Sequence, residues 1–102
     1  MGPTPPKSLK IIAHIQAKPT KRDELEKVLL SLIEPTRSDE GYQEYELFIS
    51  QDDPCHFTFV ETWESLEALE KHLQTPHLQG FLSRADELLD GAPQVLKLSR
   101  LG

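Results

Sequence analysis

Only one cysteine, Cys55, occurs in the 102 residues, so no disulfide can close within the chain, and the composition suits a reducing compartment such as the cytoplasm. Basic charge is scarce too: 11 Lys and Arg stand against 17 Asp and Glu, a formal net charge of −6. Without clustered Lys and Arg to meet phosphates, nucleic acid is not an expected partner, and the acidic excess serves solubility. No stretch approaches the roughly 20 apolar residues that cross a bilayer. The Pro-rich start, Met1 to Lys7, lacks the apolar run of a secretory signal, so neither a signal peptide nor a membrane partner is expected. The five glycines form no phosphate-cradling pattern, which leaves nucleotide, flavin and nicotinamide fingerprints absent.

What is present reads as one domain, residues 9–102, behind a disordered leader over residues 1–8. From Leu9 to Ala17 the odd positions Leu9, Ile11, Ala13, Ile15 and Ala17 are apolar, the period of two that marks a strand with one buried face. Ile12 interrupts the polar side, so the second face is expected to be partly covered. Thr20 can cap a helix that carries Asp23 and Glu24 in its first turn and an apolar stripe of Leu25, Val28, Leu29, Leu32 and Ile33. Pro35 predicts a kink or end near Glu34. Tyr42 to Ser50 and His56 to Glu64 alternate again, and the turn chemistry of Gln51-Asp-Asp-Pro-Cys55 between them predicts an antiparallel hairpin. Ser65 and Thr75, the latter followed by Pro76, are caps for two more helices, with Gly91 as the stop and Gln94 to Leu101 as a last strand.

The order β-α-β-β-α-α-β predicts an α+β, ferredoxin-like fold with a four-stranded antiparallel sheet. Helices would cover one sheet face and leave the other bare. A chain of this size buries only about 60–70% of its unfolded surface, so a second copy packed against that bare face, forming a dimeric α+β barrel, is the expected state.

Certain residues carry a resemblance: Phe59-Val60-Glu61-Thr62-Trp63, then Leu69, His72-Leu73-Gln74-Thr75-Pro76-His77-Leu78 and Phe81. Together, over Leu9 to Leu98, they resemble the antibiotic biosynthesis monooxygenase family, which includes quinol monooxygenases, polyketide anthrone oxygenases and an isomerase. The resemblance implies a homodimer with a pocket between sheet and helices in each subunit. It also implies that Glu61, Trp63, His72, His77 and Phe81 occupy the recurrent site positions. The family's haem-degrading branch needs a His on the last helix and an Asn on strand one, where this chain offers Leu82 and Ile12 or a neighbour of it, so no haem is expected.

His72, at the border of the apolar stripe of Leu69 and Leu73, is the candidate base; it would serve equally as a structural histidine across the helix joint. His77 stands in the first turn of a helix, where the positive dipole end favours a neutral ring. Glu61 shares strand parity with Phe59 and Trp63, and a carboxylate among aromatics must pair, hydrogen-bond or take up a proton. Phe59, Trp63 and Phe81 are expected as pocket walls. Tyr45 would orient a phenolic ligand, and His14 on the first strand is taken as a further substrate contact.

No metal is expected. His72 and His77 are five apart with Pro76 between them, not the i, i+4 pair of a helical site, and His14 and His56 lie on different strands without a convergent set. Cys55 is an incidental thiol, with no base adjacent in sequence.

The expected activity is a monooxygenase that oxidises a quinol or similar dihydroxy-aromatic with dioxygen and no cofactor. His72 would be the base, His77 and Tyr45 would position the oxygens, and Glu61 would be either a pocket acid or a structural anchor. The alternatives are a hydroxy-ketone isomerase of the same fold and a non-catalytic small-molecule-binding dimer.

Overall fold

Strand β1 (Leu9–Gln16) is followed by a 3-10 turn (Pro19–Lys21), α1 (Arg22–Ser31) and α2 (Ile33–Thr36). Then come the hairpin β2 (Tyr42–Ile49) and β3 (His56–Trp63), three short helices α3 (Leu66–Leu73), α4 (Pro76–Leu82) and α5 (Ala85–Leu88), and β4 (Gln94–Leu98). The computed structural model describes residues 8–102. The expected leader lies outside the described residues except for Ser8, whose hydroxyl donates to Gln43 Oε1 at 3.1 Å.

All strand pairs are antiparallel and the sheet order is β2-β3-β1-β4, the ferredoxin-like arrangement that the element order implies. Register aligns the faces. Tyr45 opposes Glu61, which opposes Ile11, which opposes Lys97; in the next row Leu47, Phe59, Ala13 and Val95 stand side by side. On β1 and β3 the odd positions form the core, with Ile11, Ile15, Phe57, Phe59 and Trp63 all buried. Leu25 and Leu29 of α1 and Leu88 of α5 close over them, fully buried. A bulge between Tyr42 and Glu44 shifts the β2 register by one residue, which sets Glu44 opposite Thr62 and Tyr42 opposite Trp63. The other sheet face, bearing Ile12, Val60, Leu96 and Leu98, stays partly open.

Local signals hold at two caps: Ser65 Oγ accepts from Ala68 N–H and Thr75 Oγ1 from Leu78 N–H. Other expectations are corrected. Thr20 does not cap α1, because it falls inside the 3-10 turn; the position before α1 is Lys21, without a side-chain cap. The break expected near Glu34 occurs at Leu32, since Pro35 cannot donate to Ser31 and its ring crowds that carbonyl one turn back. The helix expected to run on to Gly91 is interrupted at Ser83–Arg84, where the Ser83 hydroxyl donates to the Gly80 carbonyl and Arg84 N–H tightens onto Phe81. The last strand ends at Leu98 rather than Leu101.

Gly41, ahead of β2, has φ +81° and lies so close to α3 that an added Cβ would collide with Ala68 Cβ. Only glycine satisfies both demands at once. This close approach brings the loop that ends at Gly41 against the first turn of α3.

Candidate active site

Between the inner sheet face and helices α3 and α4 lies a cavity of about 330 Å³. Ile11, Ala13, Phe59 and Glu61 supply its floor and Leu69, His72, Leu78 and Phe81 its roof, with Tyr45 alongside. Small Ala13, in the row between Phe59 and Val95, leaves room that a larger side chain on β1 would fill.

Of the residues singled out in the sequence, Tyr45, Phe59, Glu61, His72 and Phe81 line this cavity, whereas Trp63, His77 and His14 do not. Trp63 has the right strand parity but sits at the covered end of β3, fully buried, where it backs the wall instead of forming it. The His77 ring, in the first turn of α4, turns toward the loop before β2. His14 occupies an even position of β1 and so faces the opposite side of the sheet. There its Nδ1 lies 2.9 Å from His56 Nε2, so these two histidines do meet across strands.

Burial pushes the Glu61 carboxyl up to about 7, and a 2.9 Å hydrogen bond from Trp63 Nε1–H opposes that rise only in part. Near neutrality the group is therefore both acid and base. Burial, together with the Glu61 charge, raises the Tyr45 phenol, which stays protonated and able to donate. The Tyr45 ring stacks on Phe59 at 4.5 Å and meets His72 edge-on at 5.4 Å.

His72 is 2% exposed, and its Nδ1 donates to Asp39 Oδ2 at 2.7 Å. Desolvation lowers its affinity for a second proton, with the Asp39 hydrogen bond and charge pulling the other way. The result is a neutral imidazole whose Nδ1–H is fixed by a carboxylate, leaving the lone pair on Nε2. His77 Nε2 donates to the same Oδ2 at 2.9 Å. The carboxylate thus holds both histidines.

Asp39 is not among the residues that the sequence singles out. The available signal was chemical: two histidines near an apolar stripe need polar partners, and an acidic residue beside a glycine turn can be brought close to supply one. The expectation of no convergent histidine set is corrected on this point. Asp39, His72 and His77 offer ligand atoms within 4.8 Å of one another, a donor set of the kind that holds zinc or another divalent ion. Within the fold described, that set is satisfied by its own two hydrogen bonds to Oδ2.

Among the described residues no helix is long and apolar enough to cross a membrane. A family model described as antibiotic biosynthesis monooxygenase matches residues 8–84. YcnE of Bacillus subtilis, a protein bearing the name of a monooxygenase, is 34% identical over 85 residues, spanning 83% of this chain and 90% of that one. The crystal structure of PA3566 from Pseudomonas aeruginosa superposes with a TM-score of 0.90 at 31% identity, covering 98% of this chain and all of that one. Rv0793 from Mycobacterium tuberculosis gives a TM-score of 0.87 at 29% identity over 93% of this chain and 96% of its own.

Proposed function

The chain belongs to the antibiotic biosynthesis monooxygenase family, and on that premise we propose that it oxidises a quinol or related dihydroxy-aromatic with dioxygen, without a cofactor. The observation that carries this reading is the buried His72 imidazole, backed through Nδ1 by Asp39, on the wall of a mainly apolar cavity. In the reading, Nε2 of His72 takes a phenolic proton, and the charge on the resulting imidazolium is balanced by Asp39. The substrate anion gives one electron to dioxygen, the two radicals join at a ring carbon, and the hydroperoxide loses water. A quinol and one dioxygen thereby become a hydroxyquinone and one water, with every atom and electron supplied by the two substrates.

The remaining side chains fit supporting roles. Tyr45 donates to a ligand oxygen, Phe59 and Phe81 flank the ring and exclude water, and Glu61 returns a proton to the departing oxygen. Trp63 holds Glu61, and His77 steadies Asp39 instead of touching substrate. His14 has no part in the pocket; it belongs to the open sheet face, which we assign to a second copy, making the working unit a homodimer in a cytoplasm-like reducing setting.

The test is dioxygen uptake with a dihydroxynaphthalene or hydroquinone. His72→Ala is expected to lower kcat/KM by roughly 10²- to 10⁴-fold, the usual contribution of a positioned base. Uptake equal to that of the native chain would end the assignment. One observation favours a second reading: Glu61, near neutrality, and His72 line one cavity and could pass a proton between two carbons of a hydroxy-ketone. Turnover that persists without oxygen would select that isomerase. Stoichiometric binding with no turnover would select a binding protein.

A further inference from the structure

We infer that the substrate carries an apolar chain, alkyl or isoprenoid, which leaves the cavity over a rim made by Leu66, Leu73, Leu82 and Val95. This rests on the ring-binding reading above and adds the chemistry of the substituent. Each of the four lines the cavity, yet they are 44%, 39%, 40% and 51% exposed, which places them at its mouth. Apolar side chains scattered singly over a surface need no explanation, whereas four converging on one opening form a patch.

Size leads the same way. About 330 Å³ lies at the low end of the range for small-molecule pockets, so a ring system fills the interior and any long substituent must exit. The exit is bounded by aliphatic groups of α3, α4 and β4, with Glu70 and Lys97 also in the lining. Apart from Glu70 and Lys97 the lining here offers a sugar or phosphate substituent only aliphatic groups, whereas a hydrocarbon chain covers the rim and is covered by it. The sheet face assigned to a second copy is the opposite one, so that copy does not compete for this mouth.

Calorimetric titration of the native chain with methyl-, pentyl- and nonyl-hydroquinone, kept reduced under nitrogen, tests the inference. Affinity is expected to rise roughly twofold for each methylene lying on this half-open rim, then to level off once the chain extends past it. In Leu73→Glu and Leu82→Glu the ratio of nonyl to methyl affinity should fall toward unity, a comparison that cancels nonspecific partition of the longer ligand. Methyl-hydroquinone binding with no gain from longer chains would overturn the apolar-chain inference and leave the ring reading standing. Absence of binding by all three would overturn both. A change in solution mass on Leu82→Glu would mean that protein, not ligand, covers the rim, and would also refute it.

Discussion

Replacing Glu61 by Gln keeps the volume and the oxygen that accepts from Trp63 Nε1–H, and removes only the ionisation. In the folded chain this carboxyl titrates at about 7, against 4.5 when unperturbed. A raised folded value means that the folded state holds the proton more tightly than the unfolded state does. The stability so contributed is complete below pH 4.5 and is lost as pH rises through about 7. A displacement from 4.5 to about 7 corresponds to about 3 kcal/mol. His72 acts in the opposite sense: its folded affinity for protons is lowered, so its contribution is lost as pH falls below 6.5. Subtracting the variant from the native chain cancels the His72 part. Urea unfolding followed by far-ultraviolet circular dichroism, at one fixed chain concentration over a series of pH values, supplies the comparison. The native chain should lose about 3 kcal/mol relative to Glu61→Gln between pH 4.5 and neutrality. A difference that stays constant with pH would refute the claim that burial holds a proton on Glu61.

Asp39→Asn should lower kcat/KM by roughly 10²-fold or more, by freeing the His72 tautomer, and should move the acidic limb of the pH profile to lower pH, because Asp39 now raises the proton affinity of His72. An unmoved limb would remove Asp39 from the mechanism. Gly41→Ala, which combines positive φ with a collision against Ala68, should cost about 2–5 kcal/mol in denaturant unfolding. Gly91→Ala, at φ +92° with open space around it, should cost only about 1–2 kcal/mol. Equal losses at the two glycines would refute the close-approach argument. Dialysis against a strong chelator should leave dioxygen uptake unchanged; a loss restored by zinc or ferrous ion would turn Asp39, His72 and His77 into a metal centre.

Strand alternation in β1 and β3, the turn chemistry of residues 51–55 and the caps Ser65 and Thr75 were legible because each depends on neighbours a few positions away in sequence. From them the order of elements and the α+β class followed. Cavity membership was legible only in part. Parity correctly put Phe59 and Glu61 inside, but it could not separate them from Trp63, which differs only in lying under more cover at the strand end. For His14 the period of two was the decisive evidence, since an even position on β1 points away from Ile11 and Ala13. Asp39 was out of reach by pattern. Its bond to His72 spans 33 positions and exists because Gly41 permits the loop to lie against α3. The helix break at Ser83 likewise came from a side-chain hydroxyl reaching the Gly80 carbonyl, a competition that composition alone does not rank.

The chain has a single tryptophan, and its indole is tied to Glu61 while its ring centre lies 4.4 Å from that of His72. One chromophore thus touches two ionisable groups. Its emission should register the gain or loss of a proton on either neighbour and the arrival of a ligand in the adjoining space, with no background from a second indole. Stopped-flow fluorescence on unlabelled protein can then time occupancy and proton movement separately from oxygen consumption.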